Sequence, residues 1–168
     1  MSPLVRAGLA VLGTLAAALV GGLGSVRSGE LYAQLEKPGW APPGSVFGPV
    51  WTVLYVLMAV AAVLVLRRAG WPGARGAMML FGAQLALNAL WPWLFFRWRL
   101  GAVSLAEILA LWVVLLLTVL AFGRVHRVAA ALLLPYLAWV SYAAALTWAV
   151  WRRNPELLSA VSALRTGG

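Results

Sequence analysis

The sequence predicts an all-α integral membrane protein: a bundle of five transmembrane helices with a long, lid-like loop between the first and second. Three observations carry that prediction. Hydrophobic residues make up 64% of the 168 and charged residues 10%, against about 45–50% and about 25% in soluble domains, so polar side chains are too few to coat a soluble globule. Five apolar runs reach the length of about 20 residues that a helix needs to cross the hydrocarbon at about 1.5 Å per residue. The basic residues fall in short clusters between those runs: Arg67, Arg68 and Arg75; Arg97 and Arg99; Arg124 and Arg127; Arg152 and Arg153. Cations so placed sit at headgroup level, so the net charge of +9 points to membrane lipid and not to nucleic acid. The same apolar content excludes disorder, and the lack of cysteine removes disulfides, thiolate metal sites and cysteine nucleophiles together.

The first span, 7–26, has an apolar core longer than the about 7–15 residues of a signal peptide, so a retained helix is expected. Gly13, Ala17, Gly21 and Ser25 give it a small-residue face, and Gly82, Ala86 and Ala89 do the same on the third span. Both faces suit close packing, inside the bundle in preference to across a homodimer. The loop of 27–46 follows, then spans at 47–66, 76–96, 102–122 and 128–151, whose short connections make neighbours antiparallel. Residues 1–153 thus form the transmembrane domain and 154–168 a short tail. In that tail Asn154-Pro155-Glu156 reads as a helix start with Leu157, Leu158, Val161 and Leu164 as an interfacial stripe; a frayed end is the alternative. Lys and Arg number six on the amino-terminal side and seven on the other, a balance that gives the positive-inside rule no preferred orientation.

Candidate chemistry concentrates in the loop and on three helix faces. The loop carries Lys37-Pro38-Gly39-Trp40-Ala41-Pro42-Pro43, stiffened by proline and bearing an aromatic, which suits a cover better than a tether. At helical spacing come Phe47, Trp51, Tyr55 and Met58 on the second span, Asn88, Trp91 and Phe95 on the third, and Tyr136, Trp139, Ala143 and Thr147 on the fifth. Pro92 and Pro135 free the carbonyls of Asn88 and Ala131. If the faces converge, they enclose a ring-walled cavity for a large, flat, mostly apolar ligand. Trp71, Trp98, Trp148 and Trp151 lie near span ends as belt anchors, while Trp112 faces lipid or a neighbouring helix. His126, the single histidine, stands between Arg124 and Arg127 and reads as a solvated surface residue, so no metal site is expected. Glu107 is the one acid within a span, close enough to an end to reach Arg99 or water, and a structural role is favoured over proton coupling. No nucleophile–base pair or phosphate-cradling loop is present.

The residues of those faces carry a family likeness. Lys37-Pro-Gly-Trp-Ala-Pro-Pro-Gly-Ser-Val-Phe47 with Val50-Trp-Thr-Val-Leu-Tyr55, Gln84-Leu-Ala-Leu-Asn-Ala-Leu-Trp91 with Phe95-Phe96, and Pro135-Tyr-Leu-Ala-Trp139 with Ala143-Ala-Ala-Leu146 resemble the tryptophan-rich sensory protein/translocator protein family over about residues 5–153. The resemblance implies a five-helix bundle, often a homodimer, that needs no cofactor and takes a porphyrin such as protoporphyrin IX or haem as ligand. Animal members also take cholesterol and benzodiazepine-type drugs. It places the pocket at Trp40, Pro42, Pro43, Phe47, Trp51, Tyr55, Asn88, Trp91, Trp139, Ala143 and Leu146, to which the fifth-span face adds Tyr136. The implied role is tetrapyrrole transport, scavenging or sensory regulation, with propionates met by an Arg or Lys near the lid. A proton-coupled transporter using Glu107 and a light-dependent porphyrin-modifying enzyme are the rival readings. Two departures bear on affinity more than on fold: Thr147 replaces an asparagine common in relatives, and Gly39 replaces an aromatic found in some bacterial members. The stretch Leu146-Thr-Trp-Ala-Val-Trp-Arg152 lacks the tyrosine of the animal sterol motif, so no dedicated sterol site is expected.

Overall fold

The computed structural model describes residues 2–159, and all regular structure among them is helical. Helix α1 (Pro3–Gly24) begins where the Ser2 hydroxyl accepts from the Val5 N–H at 3.3 Å, with proline in its first turn. Helix α2 (Ser28–Gln34) and a 3-10 turn (Gly44–Val46) follow, then α3 (Phe47–Pro92), a π-helical turn (Trp93–Arg97), α4 (Gly101–Val125) and α5 (Arg127–Arg153). Among the described residues, four helical segments are long and apolar enough to cross a membrane. One of them, Gly44–Arg97, has 54 residues and at about 1.5 Å each would far overshoot a hydrocarbon core of about 30 Å. It doubles back instead. Gly70 adopts φ 61°, ψ −179°, and contacts then pair Met58 with Gln84 and Tyr55 with Asn88, both nearly symmetric about the break. The second and third spans are therefore two legs of one hairpin, and the chain is a multi-pass integral membrane protein with five crossings.

Only glycine tolerates the backbone conformation at Gly70, and Pro72 lies in the first turn of the second leg, where a missing N–H is harmless. Gly70→Ala is expected to lower stability by about 1–2 kcal/mol, read as a lower melting temperature in detergent.

Several expectations are corrected at the ends of elements. The loop of 27–46 is not structureless: α2 and the 3-10 turn occupy part of it, and the buried Leu31 and Leu35 hold it down. Asn154 closes α5 and starts no new helix; its carbonyl accepts from the Leu158 N–H at 3.1 Å. Leu158 in turn accepts from the Gly101 N–H at 3.1 Å and is buried, so this part of the tail packs inward. Val161 and Leu164 lie outside the described residues. His126 is a capping residue, its Nδ1 accepting from the Ala129 N–H at 3.3 Å to start α5. Trp71, Trp98 and Trp148 are exposed as belt anchors should be, but Trp151 packs partly buried against Gly101. Trp112 faces α5, where its Nε1 donates to Ser141 Oγ at 2.8 Å.

The buried face of α1 is Thr14, Ala17, Gly21 and Gly24, while Gly13 is exposed. A strict four-residue spacing drifts by about 40° per step on a helix of about 3.6 residues per turn, so the seam alternates three and four instead. Gly21 lies against Ala89 and Pro92, whereas Gly82 and Ala86 point outward. The main core gathers Met58, Val65, Phe81, Leu115, Phe122, Leu133 and Tyr136 between both legs of α3, α4 and α5. A second cluster joins Leu31, Leu35, Phe95, Leu146, Val150 and Leu158 at the lid end.

Candidate functional site

Between the two clusters lies a cavity of about 390 Å³, within the range of small-molecule pockets. One wall is aromatic: Phe47, Trp51 and Tyr55 descend the first leg of α3, and Phe47 meets Trp139 of α5 edge-on at 5.8 Å. Across from them, Trp91 stacks on Phe95 at 5.0 Å and nearly parallel, with Phe96 edge-on to both. The π-helical turn after Pro92 places these rings: the proline removes one helical hydrogen bond, and the widened turn brings Phe95 and Phe96 round to the cavity. A third wall comes from small residues of α1, namely Ala18, Gly21, Gly22 and Ser25, so backbone there approaches the space directly. No charged side chain is among the lining residues.

The polar floor is a hydrogen-bonded ladder across three crossings. Tyr55 donates to Asn88 Oδ1, Asn88 Nδ2 donates to the Tyr136 hydroxyl at 2.7 Å, and that hydroxyl donates to Gln84 Oε1 at 3.0 Å. Gln84 Nε2 then points at Met58 Sδ, 3.8 Å away. Asn88, Gln84 and Tyr136 are all buried, so each lost rung would strand a polar group away from water. Trp91 Nε1 and both Glu107 oxygens are buried with no hydrogen-bond partner among the described residues. Glu107 therefore does not pair with Arg99 as its sequence position allowed.

Of the twelve residues singled out from the sequence, Phe47, Trp51, Tyr55, Asn88, Trp91, Trp139, Ala143 and Leu146 line the cavity. Tyr136 lies behind it as the central rung of the ladder. Trp40 does not line it: half exposed, its ring stands edge-on to Tyr142 at 5.7 Å, and its carbonyl accepts from the Tyr142 hydroxyl at 3.0 Å. Pro42 and Pro43 also stay outside, with the Pro42 carbonyl accepting from the Tyr32 hydroxyl at 2.7 Å. The roof is instead Tyr32, Ser28, Gly29 and Gly44 of the lid. Burial, and then the neighbouring Tyr142, raise the Tyr32 phenol above its ordinary value. Lys37 is spent within the lid: Nζ donates to the Tyr32 and Leu35 carbonyls at 2.6 and 2.8 Å and lies 4.9 Å from the Tyr32 ring centre. Thr147 lines the cavity, but its hydroxyl donates to the Ala143 carbonyl at 2.7 Å, within its own helix.

Sequence reasoning did not assign the α1 wall or the α2 roof to the site. The small-residue face of α1 was the available signal for the first. A seven-residue helix with no side-chain cap leaves almost none for the second.

A match to known proteins decides what kind of bundle this is, for the model of the TspO/MBR family covers residues 10–152. The chain belongs to the TspO/MBR family. It is 41% identical over 126 residues to the tryptophan-rich protein TspO of Chlorobaculum tepidum, covering 74% of this chain and 79% of that one. The TspO of Archaeoglobus fulgidus is 36% identical over 145 residues, 86% of this chain and 94% of its own. The human translocator protein is 39% identical over 125 residues, 73% and 74% of the two chains. This TspO/MBR-family chain is thus similar to bacterial, archaeal and animal members over roughly three quarters or more of its length.

Proposed function

We propose that this protein binds a porphyrin, protoporphyrin IX or haem, in the aromatic cavity and serves in tetrapyrrole transport, scavenging or sensory regulation. The observation that carries this reading is the cavity itself: rings on two sides, a backbone-lined third side and no charge suit a broad, flat, apolar macrocycle. A metal-free ring needs no axial ligand. With Lys37 committed to carbonyls, Arg27 at the start of α2 is the cation beside the roof residues Ser28 and Gly29, and propionates would leave the cavity toward it. A homodimer, which the family resemblance implies, would use the outward Gly82 and Ala86.

Titration of detergent-purified protein with protoporphyrin IX, followed by tryptophan quenching, tests the reading. Trp139 lines both the cavity and a shallow groove on the outer face between α3 and α5, so Trp139→Leu removes a stacking ring and opens one space to the other. Saturable binding in the wild type and about tenfold weaker binding in the variant are expected, the scale of one aromatic contact. Equal, non-saturating quenching in both would leave only partition into the micelle.

A second reading, proton-coupled transport, is favoured by one observation. The Glu107 carboxylate is buried with no hydrogen-bond partner among the described residues, and the next residue, Ile108, lines the cavity. On that reading Glu107→Gln abolishes coupled uptake into proteoliposomes while porphyrin affinity holds, and unchanged uptake removes it.

A further inference from the structure

The lid is fastened to the bundle by a paired set of bonds from one side chain. Asn154 Oδ1 accepts from the Glu36 N–H at 2.9 Å, and Asn154 Nδ2 donates to the Glu36 carbonyl at 2.9 Å. The other Nδ2 hydrogen goes to the Val150 carbonyl at 2.8 Å, so both amide hydrogens are used and the side chain is held in place on α5. An amide presents donor and acceptor side by side, which complements the N–H and C=O of one backbone residue. An aspartate lacks the donor, and a glutamine is one methylene too long. Asn154 is 7% exposed, whereas the other tie from the lid to α5, Tyr142 to the Trp40 carbonyl, is open to solvent.

Packing makes the fastening matter to the cavity. Leu31 and Leu35 of the lid share a buried cluster with Leu158, just past Asn154, and with Leu146, Val150 and Phe95. The last three also line the cavity, so seating the lid and completing the cavity wall are one event. We propose that Asn154 is the latch of the lid, a positioning residue that acts through Glu36 and governs how fast ligand enters and leaves. The proposal rests on the cavity being the porphyrin site.

The test compares wild type, Asn154→Ala, Asn154→Asp and Arg153→Ala as full chains in nanodiscs. Arg153 donates to the Ala149 carbonyl at the same helix end, and so controls for fraying of α5. Hydrogen exchange at the Glu36 amide needs no ligand and is expected to rise about tenfold or more in Asn154→Ala, since its acceptor is gone. Stopped-flow mixing with protoporphyrin IX is expected to show association and release both about tenfold faster, with Kd within about threefold, because a latch sets the barrier in both directions. Asn154→Asp keeps the acceptor and should fall between, which preserves the test if the alanine variant fails to fold. Unchanged Glu36 exchange overturns the latch, as does weaker affinity at unchanged association rate, or equal acceleration by Arg153→Ala. If the wild type binds no porphyrin, the functional reading fails while Glu36 exchange still decides the latch.

Discussion

Asn88→Ala is expected to destabilise the bundle by about 2–4 kcal/mol and to weaken porphyrin binding with it, because one buried and one half-buried hydroxyl lose partners at once. Tyr55 loses the acceptor for its proton, and Tyr136 loses the donor at 2.7 Å while keeping its own bond to Gln84. Tyr136 is fully buried, away from water, while Tyr55 is half-buried on the cavity wall and packs against Trp51 at 5.6 Å. Asn88 joins both legs of the α3 hairpin to α5, so its loss loosens three crossings where they meet the cavity floor. Tyr55→Phe removes one rung and strands only the Asn88 Oδ1 acceptor, so its effect should be smaller, about 1 kcal/mol. Thermal unfolding of both variants in the same detergent separates the two cases. Equal losses would mean that the ladder is not a connected unit.

That ladder shows what a sequence of this kind exposes and what it hides. Asn88, Trp91, Tyr136 and Trp139 announce themselves because polar and aromatic residues at helical spacing stand out in spans that are otherwise aliphatic. Five crossings were legible for the same reason, since lipid forces each apolar run into a helix. The break at Gly70 was not: a hairpin between two apolar runs reads as a connection, and the positive φ of one glycine leaves no periodic trace. A rigid aromatic loop suggests a cover, which puts Trp40 over the cavity. Its ring finds Tyr142 outside instead, and the roof comes from Tyr32, whose position depends on a helix too short to show in the pattern. Asn154 looked like the start of a helix, since the cap preferences of asparagine are local, whereas its two bonds to Glu36 span 118 residues. Contacts at that separation are set by tertiary packing, which no local window contains.

Gly24→Val carries the other large expected effect, a loss of about 3 kcal/mol that also reaches the cavity. A Cβ at Gly24 would stand 2.9 Å from the Trp93 ring and 3.0 Å from the Trp93 backbone nitrogen. The ring cannot swing aside cheaply, because its Nε1 donates to the Val20 carbonyl at 2.9 Å and so is pinned to α1 itself. The backbone cannot yield either, since Trp93 opens the π-helical turn that presents Phe95 and Phe96. Relief must come from α1 moving off α3, and α1 supplies Ala18, Gly21, Gly22 and Ser25 to the cavity wall. The variant should therefore melt at lower temperature and bind protoporphyrin IX more weakly. Gly13→Ala on the same helix is the contrast: the position is exposed and a Cβ there meets nothing within 4 Å. The change should be neutral or stabilising by up to about 1 kcal/mol, from helix propensity alone. A Gly24→Val protein that melts lower yet keeps wild-type affinity would show that α1 is a lipid-facing support and not a wall of the site.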